Sequence, residues 1–262
     1  MTWTLDIVDV GTIPALPLGL FLPDAPADAT IDVPCFAYLL TAPGRTVLVD
    51  TGPDVEVARR AGFGPTGDAV GALRTALASR GRKGADVETV VHTHLHYDHA
   101  QNHAEFPSAT VIVQARELEW ACDGGGDGFV LDADRLVASL GDRLRPVDGD
   151  AEPAPGLRLL LTGGHTPGHQ VLVVETDVGE VCIAADVVPL AANRSIVAPN
   201  CLDRAAVERF LATAAAAGWL LLPGHDPHVR AALTAGRPWS SIAGAGGAGS
   251  SELKASDTDR EE

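Results

Sequence analysis

Short runs of consecutive apolar residues, most of them closed by glycine, proline or a polar turn, recur along the chain. FAYLL (36–40), TVLVD (46–50), TVVHT (89–93), TVIVQ (110–114), LRLLL (157–161), VLVVE (171–175), EVCIAAD (180–186) and WLLL (219–222) are rich in Val, Leu and Ile and too short for helices, so strands are expected there. Two stretches follow the helical period instead. GDAVGALRTALASR (67–80) puts Val70, Leu73 and Leu77 on one face, with Gly81 as its stop. Residues 204–217 put Val207, Phe210, Leu211 and Ala214 on one face, between Asp203 as N-cap and Gly218 as terminator. Strands in paired blocks with helices between them predict a layered α/β protein, with sheets packed face to face and helices outside.

Nothing divides residues 1–238, which are read as one domain. From 239 to 262 small, polar and charged residues take over, and such a segment cannot bury enough apolar surface to fold, so a disordered tail is expected. Over the whole chain, 46% hydrophobic and 21% charged residues are ordinary for a globular protein. Nineteen basic against thirty-five acidic side chains give a net charge of −16, which disfavours a nucleic-acid partner. No apolar run approaches the roughly 18 residues that cross a bilayer. MTWTLDIVDV lacks a basic and then apolar leader, and Cys35, Cys122, Cys182 and Cys201 show no CxxC spacing. Buried free thiols in a reducing cytoplasm are therefore expected, with no membrane partner.

The segment that changes this picture is HTHLHYDH, residues 92–99. Four histidines and an aspartate at the end of an expected strand are hard to explain as core packing, and the H-x-H-x-D-H spacing points to metal. Other polar groups stand at comparable strand ends: His169 in GGHTPGHQ, Asp186 closing EVCIAAD, and His225 in PGHDP after WLLL. If the fold gathers them, five imidazoles and two carboxylates without thiolate favour zinc or a similar divalent ion, and seven donors exceed one tetrahedral site. Two divalent ions per chain, with zinc preferred, would use them all. His92 is read as structural, His103 and His228 as supporting or surface residues. His165 is either a partner of a ligand or a turn residue.

In this arrangement the sequence resembles the metallo-β-lactamase superfamily. LVDTG (48–52), HTHLHYDH, GHTPGHQ, AAD (184–186) and PGHD (223–226) match its motifs in order. The resemblance implies a four-layered αββα sandwich with the site along one edge. It implies that His94, His96 and His169 hold one metal, that Asp98, His99 and His225 hold the other, and that Asp186 bridges them. Asp98 is then also the catalytic group that orients the nucleophile and moves a proton to the leaving group.

Within the superfamily, DHAQNHAEFP, ATVIVQARELEW and TPGHQVLVVET are similar to the N-acyl-homoserine lactonase group. That likeness implies a hydrolase opening a small-molecule lactone or related ester. Leu18, Leu20, Phe21 and Phe63 are candidate acyl-pocket residues, with plain core or loop packing as the other reading. Those lactonases carry a tyrosine about three residues after the bridging aspartate, whereas this chain has Pro189. A glyoxalase II-like thioesterase shares the ligand set and is the alternative, although HVRAALTAGRPW offers only two arginines for an anionic carrier. A non-catalytic metal-binding protein of the same fold is more remote.

Overall fold

The computed structural model describes residues 1–125, 129, 130 and 133–241. Two mixed sheets form the centre. The first runs in sequence order through β1 (Thr4–Pro17), β2 (Thr30–Ala42), β3 (Arg45–Val49), β4 (Thr89–Val91), β5 (Thr110–Gln114) and β6 (Leu144–Val147). The second is built from β7 (Ala151–Ala154), β8 (Leu157–Leu161), β9 (Gln170–Thr176), β10 (Gly179–Ala185) and β11 (Leu220–Pro223), in the order β11-β10-β9-β8-β7.

Side-chain alternation assembles the layers. In β2, Phe36, Tyr38 and Leu40 face the second sheet and pack with Leu159, Leu172, Val174, Ile183 and Leu222. Val33, Cys35, Ala37 and Leu39 face the other way, into a cluster with Ala58 of α1 (Val55–Arg60), Leu73 and Leu77 of α2 (Ala69–Ser79), Leu118 of α3 (Ala115–Cys122) and Leu136 of α4 (Ala133–Leu140). On the second sheet Val171, Val173 and Cys182 face outward onto Val207, Phe210 and Ala214 of α5 (Arg204–Ala217). The result is an αββα sandwich of three stacked cores. Both helices read from the 3.6-residue period are present. Asp68 caps α2 through the Gly71 N–H (2.9 Å), and Asp203 caps α5 through Ala206 N–H (3.0 Å).

The structure adds elements that the pattern did not announce. GTIPALP (11–17) is the second half of β1, bulged between Asp9 and Gly11 and between Ile13 and Leu16. A short helix, Pro227–Thr234, closes one end of the sandwich with Val229 in the inter-sheet core. The domain boundary also moves. Trp239–Ser241 forms a 3₁₀ turn, and the Trp239 indole donates to Leu5 O at 2.9 Å, so the fold runs past residue 238. The rest of the tail, 242–262, lies outside the described residues. No helix among the described residues is long and apolar enough to cross a membrane.

Candidate metal centre

Both sheets deliver polar residues to one edge. β3 and β4 are parallel, and beyond them follow Asp50 and the loop 92–99. β10 and β11 are likewise parallel, and beyond them come Asp186 and His225, while His169 immediately precedes β9. Asp50 and Ala185 take left-handed backbone (φ 58° and 44°), which turns the chain sharply at two strand ends. Gln170 joins the sheets at this edge. Its N–H donates to Thr93 O (2.9 Å), and its side-chain amide to His92 O (2.8 Å).

Hydrogen bonds on the outer side of each ring fix which nitrogen points inward. The Thr93 hydroxyl donates to Asp50 Oδ2 (2.8 Å), so it accepts from His94 Nδ1 at 3.1 Å. Thr162 likewise donates to His169 O (3.0 Å) and accepts from His169 Nδ1 at 2.8 Å. His99 Nδ1 donates to Asp50 Oδ2 (2.8 Å) and His225 Nδ1 to Pro34 O (2.8 Å). Each Nε2 is thereby aimed into the cluster. The Nε2 atoms of His94, His99 and His169 are buried and make no hydrogen bond. Buried polar atoms of this kind are costly unless something binds them, and a divalent cation fits the donor set.

Asp186 stands between two groups of these rings. Its Oδ1 lies 3.2 Å from His99 Nε2 and 3.1 Å from His225 Nε2, and its Oδ2 lies 3.4 Å from His165 Nε2. Asp98 Oδ2 joins the first group, 3.4 Å from His99 Nε2 and 3.5 Å from His225 Nε2. On the other side the rings of His94 and His96 have centroids 4.5 Å apart, and those of His94 and His169 5.3 Å apart. All seven residues singled out in the sequence thus converge. His165 joins them, with Nε2 3.0 Å from His96 Nδ1, and its donor atom lies within 4.8 Å of those of His94 and His96.

The remaining candidates are placed apart. His92 is fully buried behind the cluster, its Nδ1 3.7 Å from Asp50 Oδ1. His103 meets the Ser139 hydroxyl at 3.0 Å, and the largely exposed His228 pairs with Asp226. Phe63 stacks on Tyr97 with ring centroids 4.2 Å apart, and Phe129 lies 5.3 Å from Phe63 and 5.7 Å from His96, forming an aromatic wall beside the centre. Phe21 is buried in the outer core, Leu18 packs against that core, and Leu20 is exposed. Pro189, at the tyrosine position, accepts the His225 N–H at 2.8 Å. A separate groove of about 830 Å³ between α5 and β8 is lined by Arg158, Phe210 and Trp219, and by none of the seven residues.

One carboxylate without an obvious sequence signal holds the loops together. Glu117, fully buried on α3, accepts from Leu95 N–H (3.0 Å), the Thr166 hydroxyl (2.7 Å) and Gly168 N–H (3.0 Å). Gly168 is required there, because a Cβ would collide with Glu117.

The electrostatics divide the centre. Burial alone would raise Asp186, but His225, His165 and His99 overcome it and hold the carboxyl well below the usual range. Burial alone would lower His99, yet Asp98, Asp186 and Asp50 raise it well above normal. Burial likewise opposes the charge on His225, which Asp186 nevertheless raises. Burial, then the neighbouring His165, push His96 and His169 down to about 3. One side is therefore neutral imidazole with free lone pairs, and the other is acid-rich. In metal-free protein the folded state refuses protons on His96 and His169 that the unfolded chain accepts below about pH 6.5. Its stability should fall as pH drops from about 6.5 towards 3. Urea midpoints across that window check this, and a midpoint that rises on acidification contradicts it.

A model of the metallo-beta-lactamase superfamily matches residues 30–230, and the chain belongs to that superfamily. An N-acyl homoserine lactonase from a Bacillus species is 32% identical over 157 residues, covering 56% of this chain and 60% of that protein. The N-acyl homoserine lactonase AttM of Rhizobium radiobacter is 35% identical over 167 residues, covering 56% and 61%. The chain thus spans about 60% of the length of these curated relatives. A solved N-acyl homoserine lactone hydrolase, holding the product N-hexanoyl-L-homoserine at its catalytic metal centre, superposes with a TM-score of 0.73 at 25% identity. That match covers 88% of this chain and 97% of the other.

Proposed function

We infer that this protein is a metal-dependent hydrolase that opens lactones or related cyclic esters. The observation that carries the reading is Asp186, whose Oδ1 faces His99 and His225, whose Oδ2 faces His165, and whose carboxylate has an oxygen within 4.8 Å of a His94 ring nitrogen. This supports two divalent ions, with zinc preferred by the nitrogen and oxygen donors. His94, His96 and His169 would hold one, Asp98, His99 and His225 the other, with Asp186 shared between them. Such ions, when bound, lower the pKa of water towards neutrality and polarise the carbonyl under attack. Asp50, Thr93, Thr162 and Pro34 O keep the imidazoles in the ligating tautomer. Asp98 is assigned the proton that leaves with the opened ring's alkoxide. Phe63, Tyr97 and Phe129 offer an apolar wall for an acyl substituent.

The lactonase relatives support the lactone itself, while Pro189 limits it. Losing one positioned hydroxyl donor costs about 10²–10³ in turnover. Metal-reconstituted protein should therefore open lactones with apolar substituents, but turn over N-acyl homoserine lactones more slowly than a lactonase with tyrosine at that position. A panel of lactones, thioesters and β-lactams, followed by acid release, checks this. Thioester hydrolysis about a hundredfold more efficient in kcat/KM than any lactone would replace the reading with a thioesterase.

A further inference from the structure

We propose that Cys35 is an additional ligand of the metal held by Asp98, His99 and His225. The inference rests on the two-metal reading above and changes the chemistry of one half of it. Cys35, Asp98 and His225 each offer a donor atom, and the three atoms lie within 4.8 Å of one another. All three residues are buried, Cys35 completely.

The backbone makes this placement rigid. Pro34 O accepts from His225 Nδ1 at 2.8 Å, and the next residue of β2 carries the thiol. The strand that fixes the imidazole therefore also fixes the sulfur. Val33, Ala37 and Leu39 put hydrocarbon on the same face of β2, and Cys35, between Val33 and Ala37, puts a thiol there. No hydrogen bond among the described residues engages that thiol, which is free of any disulfide. A side chain that is polarisable, unpartnered and beside a carboxylate and an imidazole is a ligand in waiting.

On metal binding the S–H proton leaves to solvent as the sulfur–metal bond forms, and the ligand is the thiolate. The two halves of the centre then differ in kind. The His94, His96 and His169 half keeps nitrogen donors, while the other half gains a soft one. That half should prefer zinc, cobalt or cadmium over manganese or magnesium.

Cobalt(II) added to metal-free, full-length protein reads this independently of any substrate. Two bound equivalents should produce a near-ultraviolet thiolate-to-cobalt charge-transfer band beside the visible d–d bands. Cys35→Ser should remove the first, keep the second, and weaken one cobalt by at least the roughly 10–100-fold that losing even an outer partner costs. X-ray absorption of the zinc-loaded wild type should show sulfur at ~2.3 Å, so the assignment is tested even if the variant fails to fold. Two bound cobalt ions with no charge-transfer band, a band that survives Cys35→Ser, or a zinc shell without sulfur each overturn the proposal. None of these results touches the lactone assignment, which stands or falls on the substrate panel. Failure of cobalt to bind at all sinks the Cys35 assignment together with the two-metal reading on which it rests.

Discussion

Asp186→Ala should empty both halves of the centre. Wild type purified without chelator is expected to carry two equivalents of transition metal, and the variant less than one. The carboxylate supplies Oδ1 to the His99 and His225 side and Oδ2 towards the His165 side, so its loss removes a donor from each. It also removes an anion that offsets two dications, and affinity at each site should fall by more than about 100-fold, beyond what losing an outer partner costs. Hydrolytic activity should follow the metal. His103→Ala and His228→Ala, whose rings meet Ser139 and Asp226 outside the cluster, should keep both equivalents. Elemental analysis decides: full occupancy in Asp186→Ala, or loss in His103→Ala, would show the ligand set to be wrong.

Glu117→Ala should be the most destabilising change away from the donor atoms. It leaves the Leu95 and Gly168 N–H groups and the Thr166 hydroxyl buried without an acceptor. Each unpartnered group costs about 1–3 kcal/mol, and a total of about 3–5 kcal/mol is expected. That corresponds to a fall in melting temperature of roughly 10 °C for a domain of this size. Because Leu95 lies between His94 and His96, and Gly168 precedes His169, metal affinity should weaken as well. Glu117→Gln should rescue the protein only in part, since one of the two accepting oxygens becomes an N–H donor turned towards donors. Calorimetry and metal titration measure the two effects, and a shift below about 2 °C would mean that the carboxylate does not bind the loops together.

How much of this was legible in the sequence depended on how local the cause was. The central strands declared themselves because both faces are buried, which makes a continuous apolar run. β1 did not, since Asp6, Asp9, Pro14 and Pro17 interrupt its pattern, and an edge strand with two bulges tolerates them. The helix of ARELEW was equally masked. It is short, half of it is charged or polar, and its Glu117 is buried rather than exposed. The seven donors were crowded into turn motifs and could be named from the residues alone. Their supports could not, because Asp50–Thr93, Glu117–Gly168 and Gln170–His92 join positions 43, 51 and 78 residues apart. His165 and Cys35 belong to the same group: only the packing of the two sheets shows what they face.

Gathering donors from both sheets also sets an order in time. The first sheet is complete at Val147, and by then the chain has made His94, His96, Asp98 and His99. His169, Asp186 and His225 are synthesised only with the second sheet, and His225 comes 37 residues before the C-terminus of this sequence. A nascent chain thus offers an ion four donors with no shared carboxylate. The full complement forms after β11 has joined β10 and Pro34 O has captured the His225 ring. In the two-metal reading, the complete ligand set therefore exists only once the two halves have docked.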